Sequence, residues 1–195
     1  MNWQEYKKEI KESIGQGDFD KSEQLLLGAI ELLKGSNDSD ERVCVCLDQL
    51  AWIYIGQKKL SHALTHYLES LRIKTAALGP DNPIVARAYK KLATVSYMME
   101  NFSEAEKYGK EALHIFRNSL GADAEETRQT LADVVALLRK LDRNVEANIL
   151  AGNKMVAPAN EQAQASQTFL KINICKECDM PYDGEGCPRC QGFGQ

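Results

Sequence analysis

Residues 83–116 decide the fold, and they read PIVARAYKKLATVSYMMENFSEAEKYGKEALHIF. Apolar side chains recur in both halves of this stretch at spacings of three and four, as one buried helix face requires. The first half places them at Ile84, Val85, Ala88, Leu92, Val95 and Met99, and the second at Phe102, Ala105, Tyr108, Ala112, Leu113 and Phe116. Glu100 and Asn101 form a polar turn between the halves, and Pro83 suits a helix start. The stretch predicts an antiparallel pair of helices.

The same pattern recurs along the chain. Leu78-Gly79 returns as Leu120-Gly121 after 42 residues, and an earlier polar turn at residues 17–22 lies 41 residues before its next counterpart. Three small residues share the 42-residue interval: Ala63, Ala105 and Ala147. One helix pair cannot bury its own apolar face, so the pairs must stack on one another. We therefore expect an all-α solenoid of about four antiparallel helix pairs over residues 1–155.

Three strings in these repeats carry a family resemblance: LAWIY at residues 50–54 with Ala63, Leu92-Ala93 with Phe102 and Ala105, and LGPDNP at residues 78–83. They resemble the tetratricopeptide repeat family, in particular the long-period type of kinesin light chains, over roughly residues 16–150. The resemblance implies a right-handed solenoid in which the first helix of each pair lines a concave groove. The first and fourth repeats depart from the family pattern at Glu9-Ile10 and Val134-Val135, as terminal repeats commonly do.

The concave wall is the candidate binding site that the resemblance implies. The repeats can be aligned on their shared alanines, Ala63, Ala105 and Ala147. In this alignment the wall comprises Asp48, Trp52, Arg87, Lys90, Thr94, Tyr97, Arg139 and Lys140, together with Gln129, Ala132 and Ala136 of the fourth repeat. Trp52 and Tyr97 are candidate anchors for apolar side chains of a peptide, and the four basic residues are candidates to attract acidic ones. The alternative interpretation is that these are solvated helix residues without a partner. The ligand-binding asparagines of kinesin light chains are absent, so their ligands are not implied here.

Composition narrows the classes of function. Hydrophobic residues make up 44% of the 195, and the net charge of −4 gives no support to a general polyanion binder. The longest apolar stretches, residues 25–30 and 43–47, fall short of the about 20 residues that a bilayer span needs. The opening sequence MNWQEY lacks the apolar segment of a secretory signal. We expect a cytoplasmic protein that does not bind a membrane.

The C-terminal part of the chain carries one specific motif, a set of four cysteines. Residues 156–171 hold few apolar side chains and predict a flexible linker to a small module at residues 172–195. Two paired spacings in that module bring together Cys175, Cys178, Cys187 and Cys190. Four thiolates in two close pairs suit a tetrahedral, structural Zn²⁺, with a disulfide pair or an iron centre as alternatives. The module resembles a short zinc ribbon or rubredoxin-like double knuckle.

Weaker signals have plainer interpretations. His62 and His66 are four residues apart on a predicted helix but have no third ligand, and we interpret them as solvated or packed. Cys44 and Cys46 lie in an apolar helical segment and are expected to be inert core residues. No Ser/His/Asp grouping or nucleotide-binding glycine motif stands out, so we expect no enzymatic activity.

The leading interpretation is therefore a non-enzymatic scaffold or adaptor that binds a peptide segment of a protein partner, acidic in character, in the groove. The alternative is a nucleic-acid-associated regulator that uses the zinc ribbon as its contact surface. Residues 156–195 hold three Lys/Arg and five Asp/Glu, too few cations for affinity driven by phosphate. We therefore rank nucleic acid below protein as a partner.

Overall fold

The computed structural model describes residues 1–34, 41–152, 173–174 and 181–182. In these ranges the elements are α1 (Trp3–Gln16), α2 (Phe19–Lys34), α3 (Glu41–Gly56), α4 (Leu60–Leu78), α5 (Pro83–Met98), α6 (Phe102–Leu120), α7 (Glu125–Lys140), α8 (Asn144–Leu150), β1 (Asn173–Ile174) and β2 (Pro181–Tyr182). The helices form the four predicted pairs, and the prediction of a helical-repeat fold is confirmed for this part of the chain. The chain divides into two compact units, one of Met1–Ala77 with Ile172–Gln195 and one of Leu78–Lys171.

Each helix pair is joined by a turn of the same geometry. Its central residue has a positive φ: 73° at Gly17, 60° at Lys58, 59° at Glu100 and 58° at Asp142. The following amide donates to the carbonyl five residues earlier, in Asp18 to Ser13, Lys59 to Tyr54, Asn101 to Ser96 and Arg143 to Leu138, at 2.8–2.9 Å. This is the Schellman closure of a helix C-terminus. It recurs at intervals of 41 or 42 residues and so confirms the repeat length.

The first unit begins with a capped helix. The Asn2 side chain accepts a hydrogen bond from the Glu5 amide while the Glu5 carboxylate accepts one from the Asn2 amide, which completes a capping box at the start of α1. Between α1 and α2 the hydroxyls of Ser13 and Ser22 hydrogen-bond at 2.7 Å, and both residues are fully buried. The two polar groups satisfy one another, so their burial is not costly.

The second unit is built on the pair that the quoted stretch predicts. α5 starts at Pro83, and the Asn82 side chain accepts a hydrogen bond from the Ile84 amide. The small residues Ala93 and Ala105 are both buried, as expected where two helices approach closely. In the fourth pair, α8 is held by Arg143, which donates to Glu106 of α6 and to Glu146 of α8 itself.

Near the C-terminus, the structure describes two short strands, β1 and β2, which pair in an antiparallel arrangement. Asn173 pairs with Tyr182 and Ile174 with Pro181, so β1 and β2 join the chain on either side of residues 175–180. The four cysteines predicted to bind zinc and the predicted linker at residues 156–171 lie outside the described residues.

The left-handed turn residues lead to a prediction about stability. A residue with a Cβ, such as Glu100, is strained at positive φ and glycine is not, so Glu100→Gly should stabilise the protein by about 0.5–1 kcal/mol. The matched control is Glu111→Gly on the exposed face of α6, which should destabilise it by about 1 kcal/mol because glycine is a poor helix former. Chemical denaturation followed by far-UV circular dichroism measures both, and a loss of stability in Glu100→Gly would contradict the prediction.

Candidate functional site

Side chains of α5 and α7 meet along one surface of the second unit, which we call the α5–α7 face. We define it by Arg87, Lys90, Thr94 and Tyr97 of α5 and by Glu126, Thr130, Asp133 and Lys140 of α7. On each helix these positions are separated by three, four or seven residues, so they lie on one side of it. Five of the predicted wall residues belong to this face: Arg87, Lys90, Thr94, Tyr97 and Lys140.

At one end of the face, Arg87 pairs with Glu126. The Arg87 Nη2 donates to Glu126 Oε1 at 3.0 Å. A hydrogen bond from the backbone of Glu126 itself, followed by the one from Arg87, lowers the pKa of the Glu126 carboxyl. Both side chains are nearly half exposed, so solvent screens the pair and it contributes little to stability. A competing charged group from a partner can therefore replace either half of this pair at low cost.

The middle of the face holds a more deeply placed carboxylate. Lys90 Nζ lies 3.5 Å from Asp133 Oδ2, and the side chain of Asp133 is 14% exposed against 32% for Lys90. Burial raises the pKa of Asp133 to about 6, although the Lys90 ammonium acts in the opposite direction. The pair borders a small cavity lined by Lys90, Ala93, Thr94, Gly109, Thr130, Asp133 and Val134.

The two threonines of this cavity donate their hydroxyl protons to backbone carbonyls of their own helices. Thr94 Oγ1 donates to the Lys90 carbonyl at 3.0 Å, and Thr130 Oγ1 donates to the Glu126 carbonyl at 2.7 Å. Each hydroxyl oxygen keeps its acceptor capacity. Lys90 is thus the one cationic donor among the residues that line this cavity.

At the other end, Lys140 rests on aromatic rings. Its Nζ donates to the Tyr97 hydroxyl at 2.9 Å and lies 4.4 Å and 4.6 Å from the ring centroids of Tyr97 and Phe102. Tyr97 is only 8% exposed and packs with Ala105 and Leu137. The Tyr97 hydroxyl therefore serves as an acceptor for Lys140, while Lys140, itself exposed, carries a charge that rests on aromatic rings.

The remaining predicted wall residues occupy different surroundings. Arg139 is half-buried on α7, next to Lys140. In the first unit, Asp48 accepts hydrogen bonds from Ser70 at 2.8 Å and from Lys74 at 2.7 Å, so its carboxylate binds α4 to α3. Trp52 is half-buried, and its ring meets the edge of the Phe19 ring with centroids 6.3 Å apart.

Sequence reasoning missed Glu126 and Asp133. The 42-residue shift maps Arg87 and Lys90 onto Gln129 and Ala132, which face solvent, and Thr94 onto Ala136, which is buried. Two neighbouring parallel helices contact each other through opposite sides. The residue of α7 that contacts a given α5 residue is therefore not the one that lies 42 positions later in the sequence. The signal that could have found these residues is the spacing of Glu126, Thr130 and Asp133 by four and three, which places two carboxylates on one helix face.

The histidines and body cysteines pack against other side chains. The Tyr54 ring has its centroid 5.3 Å from that of His62 and 5.5 Å from that of His66. The Tyr54 hydroxyl donates to Glu23 at 2.7 Å, and burial together with this bond raises the pKa of Tyr54 to about 12. Cys44 and Cys46 are buried, and burial raises the pKa of the Cys44 thiol, which disfavours the reactive thiolate.

Two further properties hold for the part of the chain that the structure describes. In residues 1–34 and 41–152 and the two short strands, no three His, Cys, Asp or Glu side chains come together in a metal-binding arrangement. Among the helices of these ranges, none combines the length and the apolar character that crossing a membrane requires.

Comparison with known proteins identifies the class of fold to which these helix pairs belong. Residues 63–118 match the family model described as tetratricopeptide repeat. The structure of BtubC (BKLC) from P. vanneervenii superimposes with a TM-score of 0.60 at 23% identity, over 80% of this chain and 65% of that one. The Podosopora anserina protein described as having kinesin light chain nearly identical TPR-like repeats gives 0.63 at 11% identity, over 85% and 82%. A second crystal structure of that protein, carrying a single substitution, gives 0.62 at 14% identity, over 73% and 68%.

These likenesses establish a helical-repeat fold of the tetratricopeptide type. The chain spans 65% of the length of BtubC. No curated protein matches the chain. Tetratricopeptide repeats generally mediate protein–protein interaction, and proteins built from them are typically non-enzymatic scaffolds.

The buried carboxyl of Asp133 leads to a prediction about pH. Its folded pKa of about 6 lies above the ordinary 3.8, so the folded state binds more protons between these values and loses stability as the pH rises through them. The loss amounts to at most about 3 kcal/mol. Asp133→Asn removes it, and the variant should match the wild type near pH 4 and exceed its stability near pH 7. Denaturation at several pH values measures the difference, and parallel stability curves for the two proteins would refute the prediction.

Proposed function

We propose that this chain is a non-enzymatic scaffold that holds a segment of a protein partner on the α5–α7 face, with a preference for acidic segments. The observation that carries the proposal is the charge on this face. Arg87, Lys90 and Lys140 supply three cations against the two carboxylates of Glu126 and Asp133. The proposal also includes a cytoplasmic location.

The geometry of the cations supports binding that is electrostatically guided. Arg87 is 48% exposed, and Lys140 is exposed and rests on rings, so both charges are accessible to an approaching partner. Partly exposed charges act mainly on the rate of association and on its salt dependence. Lys140 would change least on binding, because the Tyr97 and Phe102 rings already hold its ammonium in place.

The first unit offers a candidate apolar anchor of its own. In the first unit, Trp52 is half-buried, and its large ring is held at an angle by Phe19. A rigid aromatic side chain with part of its surface open is a typical binding hot spot. Trp52 would then affect the rate of dissociation, with a cost of about 2 kcal/mol on truncation.

The binding proposal can be tested with two synthetic peptides, since no natural partner is needed. One is a fluorescein-labelled peptide of alternating Glu and Ala, which we call the acidic probe, and the other carries Lys in place of Glu. The acidic probe should bind the full-length chain more tightly, and Lys140→Gln and Arg87→Gln should each slow its association about threefold. Stopped-flow fluorescence at two salt concentrations measures the rates.

The matched control for these variants is Arg117→Gln, which removes one exposed cation near the end of α6. It should leave association close to that of the wild type. Equal binding of both peptides, or an equal effect of all three substitutions, would show that the α5–α7 face is not the binding surface.

We propose in addition that Cys175, Cys178, Cys187 and Cys190 hold one structural Zn²⁺. The support is their paired spacing in the sequence and the antiparallel pairing of β1 with β2, which closes the chain around the segment that contains the first pair. Such a small module has little apolar core, so the metal would supply much of its folding free energy. Four thiolates fill a tetrahedral site, which leaves no position for catalysis.

The zinc proposal makes a stoichiometric prediction. Elemental analysis of the dialysed protein should find one zinc per chain, and Cys187→Ser should lose it because three thiolates bind the ion much more weakly. Cys46→Ala is the control, because Cys46 is buried in α3 and should not affect the metal content. Full zinc content in Cys187→Ser, or none in the wild type, would overturn the assignment.

A further inference from the structure

The Lys90 ammonium already pairs with a carboxylate of this chain. Its Nζ lies 3.5 Å from Asp133 Oδ2. Its charge also adds a small effect to the hydrogen bonds from the Glu126 backbone and from Arg87, which lower the pKa of Glu126. Asp133 is the more buried member of its pair and cannot turn to solvent as readily as Lys90 can. Any acidic group that reaches Lys90 from outside therefore meets a carboxylate of this chain at the same ammonium.

We propose that Asp133 is an internal competitor for Lys90, so that an acidic partner engages Lys90 on the α5–α7 face only by displacing the Asp133 carboxylate. This inference rests on the proposed function and names the residue that limits it. A new contact to Lys90 must be more favourable than its ion pair with Asp133. Segments with few acidic groups are therefore rejected, and segments with several are accepted. Asp133 thus acts as a specificity-determining residue without touching the partner.

The surroundings of Asp133 make Lys90 its principal charged neighbour. Around the cavity, α5 contributes Lys90 and Thr94, α6 contributes Gly109, and α7 contributes Thr130 and Val134. From α8 the packing against α7 is apolar, through Ala147 and Leu150. Glu106 and Lys110 of α6, Glu146 of α8 and Arg143 just before α8 form a separate ion-pair network. Protonation of Asp133 therefore acts on Lys90 first.

A consequence for pH follows from this geometry. With its pKa near 6, the Asp133 carboxyl is ionised at neutral pH and holds Lys90, whereas in mildly acidic solution it becomes neutral and releases it. Carboxylates of an exposed acidic peptide, with pKa values near 4.3, remain charged under the same conditions. The face should therefore bind acidic segments more tightly at about pH 5.5 than at about pH 7.5.

The experiment uses the full-length chain and the acidic probe. At about pH 7.5, Asp133→Asn should bind the probe about fivefold more tightly than the wild type, because an exchangeable ion pair of this kind is worth up to about 1 kcal/mol. At about pH 5.5 the wild type should approach the variant. In a Lys90→Met background, Asp133→Asn should no longer have this effect. The exposed Glu111→Gln on α6 controls for the general loss of one negative charge.

A second measurement does not depend on the probe or on the folding of Asp133→Asn. The carboxyl carbon of Asp133, followed by NMR in the wild type, should titrate near pH 6, and Lys90→Met should raise that pKa further because the ammonium favours the charged form. A titration that Lys90→Met leaves unchanged would overturn the inference, since Lys90 would then not be held by Asp133.

The outcomes separate this inference from the proposed function. If Lys140→Gln and Arg87→Gln weaken binding of the acidic probe while Asp133→Asn behaves as the wild type at both pH values, the scaffold function stands and the internal competition is wrong. If Asp133→Asn and Glu111→Gln strengthen binding equally, the effect is one of net charge and the competition is again wrong. If the probe binds no variant at either pH, the proposed function fails and the competition fails with it.

Discussion

The closure of each helix pair by a left-handed residue is the constraint on which the rest of the structure depends. In the four turns, the amide after the left-handed residue returns to the carbonyl five positions earlier, which ends the first helix and reverses the chain within a few residues. Only Gly17 among the four central residues is a glycine, so Lys58, Glu100 and Asp142 hold a conformation that L-residues disfavour. Packing must supply the difference, and the buried alanines Ala63, Ala105 and Ala147 of the second helices lie five residues beyond these three positions.

The α5–α7 face follows from that closure. Because each pair reverses with the same geometry, the first helices of successive pairs in the second unit return to the same side, and residues far apart in sequence become neighbours. Arg87 and Glu126 are 39 residues apart, and Tyr97 and Lys140 are 43 apart, close to one repeat length. A surface assembled in this way is built from contacts between repeats, so its paired groups come from positions about one repeat apart in the sequence.

The sequence predicts this fold well because its apolar residues repeat at two intervals, one within helices and one between helix pairs. Spacings of three and four locate the helices, and the 42-residue interval locates the pairs, so the boundaries of α5 and α6 agree with the quoted stretch. The interval also places five predicted residues on the α5–α7 face. It cannot identify Asp133 or Glu126. The repeat interval relates residues on the same side of successive helices, whereas neighbouring helices contact each other through opposite sides. Nor does it show that the Asp48 carboxylate is occupied by Ser70 and Lys74.

The burial of Asp133 connects the stability of the second unit with the properties of its surface. A carboxylate with 14% of its side chain exposed costs desolvation that an ion pair at 3.5 Å offsets only in part, so the fold would be more stable with a neutral residue there. In the binding role that we propose, this cost lies beside the cations Lys90 and Arg87 and allows the face to discriminate between segments. An unopposed basic face would bind any acidic segment, whereas one whose central ammonium is already occupied binds only the segments that can compete for it.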